Sequence, residues 1–341
     1  MQSFVTIKIR TFIIVILFSL SFSNAEYTTL IDTMHHTISQ KVLEGSTYLD
    51  TSISQLLNND INTSCATKSF EEDSKEKAID SFFQNDRYLN ETKDTFIRLR
   101  LNSYFYSKKS NKLNAKLNAQ LPFIKCKKKW KLFIQNISLT DKNEIQHISD
   151  TSNFGVGIRY YKKEKYGLIS NYSLGLNGIH PFVRARYGLP FTIHNWEIEP
   201  IQIFKYSSKD YFEEETNIYF DKFIKGTNLF RFKLHRKTRT HLKGMDYGIN
   251  FQYYFNFKED TGLRLSQSFF GNTHYKENPF DLKSYSGINN YETSLSWREN
   301  IWRKWFYYEL RPTVNFHKKH HYKPSYSMRF FIDIYFGKYN K

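Results

Sequence analysis

The sequence predicts an all-β fold: a transmembrane antiparallel β-barrel of about fourteen strands with a small N-terminal α-helical extension. Three observations predict it. The last strand, Tyr326–Phe336, puts Tyr326, Met328, Phe330, Ile332, Ile334 and Phe336 on one face, against Ser327, Arg329, Phe331, Asp333 and Tyr335 on the other. Successive strand residues point to opposite faces, so one face suits lipid and the other water. Second, 31 Phe and 25 Tyr coexist with a mean hydropathy of −0.60. That average arises when apolar residues are interleaved with polar ones. Third, beyond Ala25 no apolar run approaches the roughly 20 residues that a spanning helix needs.

The chain opens as a secretory leader, residues 1–25: Lys8 and Arg10, an apolar run Phe12–Phe22, and the small-x-small site Ser23-Asn24-Ala25. The formal charge of +17 falls to +15 when Lys8 and Arg10 leave with the leader. A basic chain suits nucleic acid, but export removes it from that partner. Lipid and lipopolysaccharide phosphates are the anions expected in a bacterial outer membrane, met by outer-loop Arg236, Lys237, Arg239, Lys243, Lys318 and Lys319.

Residues 26–95 read as a periplasmic helical extension. Ile31, Met34, Ile38, Val42 and Leu43 recur at helical spacing, as do Leu49, Ile53, Leu56 and Leu57. Lys75–Phe83 reads as a further short helical segment, and Thr63–Lys75 as partly disordered. Such a segment could cap the barrel, plug it, or bind a periplasmic partner.

Residues 96–337 read as the barrel. Phe96–Tyr106 and Lys112–Leu121 open it, the second with Leu113, Ala115, Leu117, Ala119 and Leu121 against Lys112, Asn114, Lys116, Asn118 and Gln120. Lys129–Ser138, Asn153–Tyr161, Tyr166–Asn177, Phe182–Phe191 and Trp196–Tyr206 follow, then Glu214–Ile224, Thr227–Arg236, Gly244–Phe257, Leu263–Gly271, Asn290–Arg298, Lys304–Phe316 and the closing strand. Twelve strands is the competing count, because Trp196–Ile224 alternates poorly. Connections on one side, led by Leu139–Ser152 and Asn272–Asn289, are long, and those on the other are short, the asymmetry of outer loops and periplasmic turns. Trp130, Trp196, Trp297, Trp302 and Trp305 all fall at the short-turn ends and form an aromatic girdle.

The polar face carries the candidate functional residues. Arg98, Arg100, Lys116, Arg159, Arg184, Arg186, Arg264 and Arg329 point inward by alternation, with Glu197, Glu199, Glu292, Glu309 and Asp333 as acidic counterparts. Arg and Lys rings favour anions in a pore; the same residues paired with acids would merely stabilise a closed barrel. Cys65 and Cys126 are the candidate disulfide, tying the extension to the barrel mouth in an oxidising compartment. His317, His320 and His321 form a basic outer loop, with surface metal binding as the weaker alternative. No serine or cysteine stands in an activated arrangement with a histidine, so neither an enzyme nor a cofactor is expected.

Trp305-Phe306-Tyr307-Tyr308-Glu309-Leu310-Arg311-Pro312, with a last strand ending Tyr335-Phe336-Gly337, resembles the C-terminal signature of a family of uncharacterised proteobacterial outer-membrane β-barrel proteins. Leu113–Pro122 is similar to that family's second strand and Pro181–Tyr187 to its central one, with a weaker echo at Tyr48-Leu49-Asp50. Thr313 departs from it, standing where an acidic residue is common. The resemblance implies the barrel and the outer membrane, and no activity. The closing strand is expected to engage the barrel-assembly machinery. The sequence as a whole predicts a pore or transport-related barrel with a basic lumen. The alternatives are a non-conducting structural or interaction barrel that binds a periplasmic partner and, more remotely, a barrel enzyme.

Overall fold

A computed structural model describes residues 25–56, 75–83, 95–107, 110–122, 130–138, 155–163, 165–224, 228–240, 242–258, 260–276 and 283–337. The leader up to Asn24, Cys65 and Cys126, and the segment 63–74 expected to be disordered, lie outside the described residues. Two helices come first, α1 (Ala25–Leu56) and α2 (Lys75–Phe82). The strands begin with β1 (Phe96–Tyr106), β2 (Lys112–Pro122), β3 (Trp130–Ser138), β4 (Gly155–Lys163) and β5 (Ile169–Asn177). Next come β6 (His180–Gly188), β7 (Phe191–Ile193), β8 (Trp196–Ser207), β9 (Tyr211–Ile224) and β10 (Asn228–Arg239). The last are β11 (Leu242–Lys258), β12 (Thr261–Tyr275), β13 (Tyr285–Asn300), β14 (Phe306–His317) and β15 (Pro324–Gly337).

Each stave pairs antiparallel with its chain neighbours. β7 is a three-residue rung on β8, and β6 bypasses it to pair with β8 directly, from Gly188↔Ile201 to Phe182↔Ser207. β15 returns to β1, from Phe96↔Gly337 to Tyr106↔Ser327, and closes a barrel of fourteen staves. Closure leaves no unpaired edge, which hydrocarbon would not tolerate. The count is fourteen rather than twelve because β8 and β9, despite their weak alternation, pair along their length from Glu197↔Asp221 to Ser207↔Tyr211.

The wall is inside-out relative to a soluble sandwich. The interior-facing positions are polar and buried: Asn102, Arg159, Asn171, Ser296, Arg298, Glu309 and Asp333 are each at most 1% exposed. Leu113, Leu174 and Val183, on the opposite face, are 69%, 64% and 51% exposed. Apolar residues outside and polar ones inside is the arrangement a lipid surround demands.

Several boundaries move. β9 begins at Tyr211, not Glu214, because Glu213 takes Lys205 across the ladder at 3.3 Å and a charged run persists as strand. β12 extends to Tyr275 and β13 starts at Tyr285, so both ends of the expected loop Asn272–Asn289 are strand. Tyr166, expected to begin a strand, instead turns the chain at φ 58 beside Gly167 at φ 78.

The helices occupy the rim where β1 starts and β15 ends. α1 lies along it: His35 Nε2 bonds the carbonyl oxygen of Tyr335 at 2.6 Å and its ring stacks on Trp305 at 4.0 Å. Arg303, in the β13–β14 turn, grips Asp32 with three donor contacts of 2.7–3.0 Å. Those hydrogen bonds hold the Asp32 carboxyl below the ordinary aspartate range and raise Arg303. α2 enters the lumen.

Candidate functional site

The lumen has two differently built walls. On the wall formed by β1 and β12–β15, cations are tied to carboxylates. Arg100 binds Asp333 through both oxygens at 2.5 and 2.6 Å. Arg298 reaches Asp333 at 2.6 Å and Glu309 at 3.5 Å. Glu309 also receives Arg311 at 2.5 Å and Arg264 at 3.7 Å. Charge-assisted, forked pairs of this kind fix side chains in place. Ladder pairing sets the spacing: Arg100↔Asp333 and Arg298↔Glu309 are register neighbours. Arg98 is 4% exposed on the same face, Arg329 stands over Tyr104 at 5.6 Å, and Lys116 is the register partner of Arg100.

Against the terminal-rim end of this wall sits α2. Ile79, Phe82 and Phe83 are buried with Phe96, Leu229, Tyr254, Tyr307 and Tyr335, each contributed by an inward position of a different stave. Phe83 meets Tyr254 edge-on at 5.1 Å, and Phe82 meets Tyr307 at 6.1 Å. Gly262 opens the space: a Cβ there would lie 2.9 Å from the Phe82 ring and 3.0 Å from that of Phe83. Asp80, 3% exposed, takes both donors of Arg231 at 2.6 and 3.2 Å, while Arg231 simultaneously holds Asp221 at 2.7 and 2.6 Å. One guanidinium thus ties the helix to the barrel.

The wall from β3 to β8 is different. Its inward register row runs Lys131↔Arg159↔Ser173↔Arg184↔Lys205 across β3, β4, β5, β6 and β8. From β3 to β8 the row holds four cations and one hydroxyl, and on β9 it ends on a carboxylate, Glu213, the register partner of Lys205. Arg159 lies over Phe133 at 4.5 Å, donates from Nε to Ser173 Oγ at 3.0 Å and reaches Tyr161 at 3.3 Å. Lys131 Nζ sits 4.3 Å above the Tyr161 ring. One residue row nearer the terminal rim, Arg186 faces Glu199 at 3.9 Å. The Phe133 platform depends on paired glycines: a Cβ at Gly157 would meet the Leu174 carbonyl oxygen at 2.3 Å and Phe133 at 3.0 Å.

Among the acids expected inside, Glu197 lies on the inward face of β8 and is half-buried, and Glu292 receives Asn315 at 3.5 Å. Trp130, Trp196 and Trp297 lie on the outward face near the terminal rim; Trp302 and Trp305 pack together in the β13–β14 turn at 6.0 Å. Lys237, expected on an outer loop, is instead an inward β10 residue bound to Glu213 at 2.7 Å, because β10 runs on to Arg239. His317 caps the one-turn helix Lys318–His320 by accepting from the Lys319 N–H at 3.0 Å. No group of three metal-binding side chains occurs among the described residues. Sequence reading missed Asp80, Asp221, Lys131 and Lys205. The last three sit at inward parity in their strands, a signal that was available; nothing in the sequence around Asp80 marks a residue that enters a lumen.

No family model and no curated protein matches the chain. Solved structures do. The chain is similar to the KdgM porin at 7% identity, covering 70% of this chain and 98% of that one, with a TM-score of 0.34. It is similar to OmpT, an outer-membrane protein of Vibrio cholerae, at 9% identity over 71% and 97%, TM-score 0.40. With Pseudomonas aeruginosa OccK10 (OpdN) the values are 7%, 71%, 98% and 0.45. The fold itself rests on the chain's own strand pairing, a closed antiparallel β-barrel of fourteen staves.

Proposed function

We propose that this protein is an outer-membrane pore with a basic, anion-favouring lumen, gated at its periplasmic mouth by α2. The observation that carries the reading is the lodging of α2 inside the barrel through the Asp80–Arg231–Asp221 bridge. A helix held, among the described residues, by the Asp80 latch and by aromatic rings is a separable element, unlike a wall strand. The cationic row on the β3–β8 wall faces the part of the lumen that α2 does not contact, and it supplies the preference for anions. In this reading the terminal rim is periplasmic, α1 rests at the membrane interface beside the tryptophan girdle, and the exposed basic residues of the opposite rim meet lipopolysaccharide. The closing strand β15 would be the segment presented to the assembly machinery.

A second reading, a non-conducting envelope barrel with α1 as its docking element, is favoured by the Arg100–Asp333–Arg298–Glu309 network, which knits one wall shut. Reversal potential in a planar bilayer decides between them. The full mature chain under a potassium chloride gradient should reverse on the chloride side. Silence in every variant that frees α2 would favour the structural barrel.

A further inference from the structure

We propose that the row Lys131–Arg159–Ser173–Arg184–Lys205 is a binding site for a tetrahedral oxyanion, a phosphate or sulfate group on a solute that enters the lumen. The inference deepens the pore reading by naming the chemistry of its cargo, and rests on it only for the route by which the anion arrives.

The geometry begins with the sheet. Neighbouring strands lie about 4.8 Å apart, so Arg159 and Arg184, separated by Ser173 on β5, have backbones roughly 10 Å apart and side chains aimed into one space. Arg159 is already shaped for a ligand. Phe133 supports its guanidinium face, and Ser173 and Tyr161 take two of its nitrogens on the sheet side. Arg184 differs. Its Nε and Nη2 are buried and have no hydrogen-bond partner among the described residues. A buried, unsatisfied donor costs on the order of 1–3 kcal/mol, more when charged, and a planar guanidinium has the fork that matches a phosphoryl or sulfuryl group. Lys205 is anchored to Glu213 at 3.3 Å at the far end of the row, and Lys131 bounds the near end over Tyr161. Lys131, Arg159 and Arg184 have no carboxylate at their register positions, and Arg184 keeps two buried donors without a partner among the described residues, an arrangement made for an oxyanion rather than a structural salt-bridge network. A tetrahedral oxyanion gives each of the two parallel N–H bonds its own oxygen, whereas chloride offers both a single atom.

The test is isothermal titration of inorganic phosphate, and separately of glucose 6-phosphate, into the full mature protein in detergent free of lipopolysaccharide, at constant chloride. Saturable binding is expected. Arg184→Met should weaken it at least tenfold, Arg184→Lys should weaken it less, and Lys222→Gln, which removes the same charge from the outward face, should leave it unchanged. If Arg184→Met does not fold, as judged by heat-modifiable migration, Lys205→Gln takes its place, with weakening expected. Binding of both probes assigns the site to phosphorylated solutes, and binding of phosphate alone to the free ion; both support the site. No binding to the wild type, equal binding by Arg184→Met, or an equal loss in Lys222→Gln overturns it. Because binding is read without conduction, a silent bilayer with saturable phosphate binding removes the pore and keeps the site. Conduction without binding does the reverse.

Discussion

Replacing Asp80 by Asn should release α2 from the lumen without disturbing the barrel. The substitution keeps the side-chain shape and removes the charge that engages Arg231 at 2.6 and 3.2 Å. Breaking a buried ion pair costs about 3–5 kcal/mol when the surviving charge is stranded. Here Arg231 keeps both bonds to Asp221, so the lower end applies. A loss of about 3 kcal/mol is a shift of about 150-fold in the docked-to-free equilibrium of the helix. Phe83→Ala attacks the same equilibrium through packing, since its ring lies against Tyr254 and under Arg264 at 5.5 Å; burial of this kind is worth about 3–5 kcal/mol. The two together should free α2 outright. Single-channel recording reads the result: brief rare openings in the wild type, frequent openings in Asp80→Asn, and a persistently open state in the double variant. The reasoning is refuted if the double variant migrates as a folded barrel yet shows the open probability of the wild type.

The paired wall predicts stability. Asp333→Ala strands Arg100 and leaves Arg298 with one carboxylate, Glu309 at 3.5 Å, and should lower resistance to urea by about 3–5 kcal/mol, measured from tryptophan fluorescence of the refolding equilibrium. Gly157→Val should cost about 1–3 kcal/mol in the same assay, because its Cβ meets the carbonyl oxygen of Leu174 and the Cα of Gly175, backbone atoms that cannot move aside. Acid should loosen α1. Arg303 depresses the Asp32 pKa in the folded state, so that contact is intact above the ordinary aspartate value, about 3.9, and fades as the pH falls through the depressed one. A nitroxide on His36→Cys, in a Cys65→Ser, Cys126→Ser background, should gain mobility below that range, and Asp32→Asn should abolish the pH step.

Much of the barrel was legible because lipid imposes a period of two on every stave, and Tyr326–Phe336 or Leu113–Leu121 carries that period without interruption. The stave count survived the poor alternation of Trp196–Ile224 because backbone pairing fixes a strand even where Glu214 interrupts the outward apolar face. Inward parity also located Arg100, Arg159, Arg184, Glu309 and Asp333. What parity cannot give is who pairs with whom. Arg100 and Arg184 are alike in sequence, each a basic residue between apolar ones. Register sets Arg100 opposite Asp333, at the other end of the barrel sequence, and Arg184 opposite Ser173 in its own hairpin. The entry of α2 was illegible for a related reason. Lys75–Phe83 carries an ordinary amphipathic pattern, and its burial depends on a space at Gly262 and a latch at Arg231, both distant in sequence.

The two walls give the lumen a division of labour. Where β1 and β12–β15 meet, two carboxylates hold four guanidiniums at 2.5–3.7 Å. That wall is a scaffold, and α2 packs against its end. On β3–β6 the inward row has no carboxylate, Arg184 keeps idle donors, and the buried apolar cluster around α2 draws on β1, β10, β11, β14 and β15. With the salt-bridged cluster and the proposed anion site on opposite walls, each can change without the other. Asp333→Ala should weaken the barrel and leave phosphate binding alone, whereas Arg184→Met should leave urea resistance unchanged or raise it, because it removes a buried charge without stranding a partner. A single variant that moved both quantities together would show that the walls are one network.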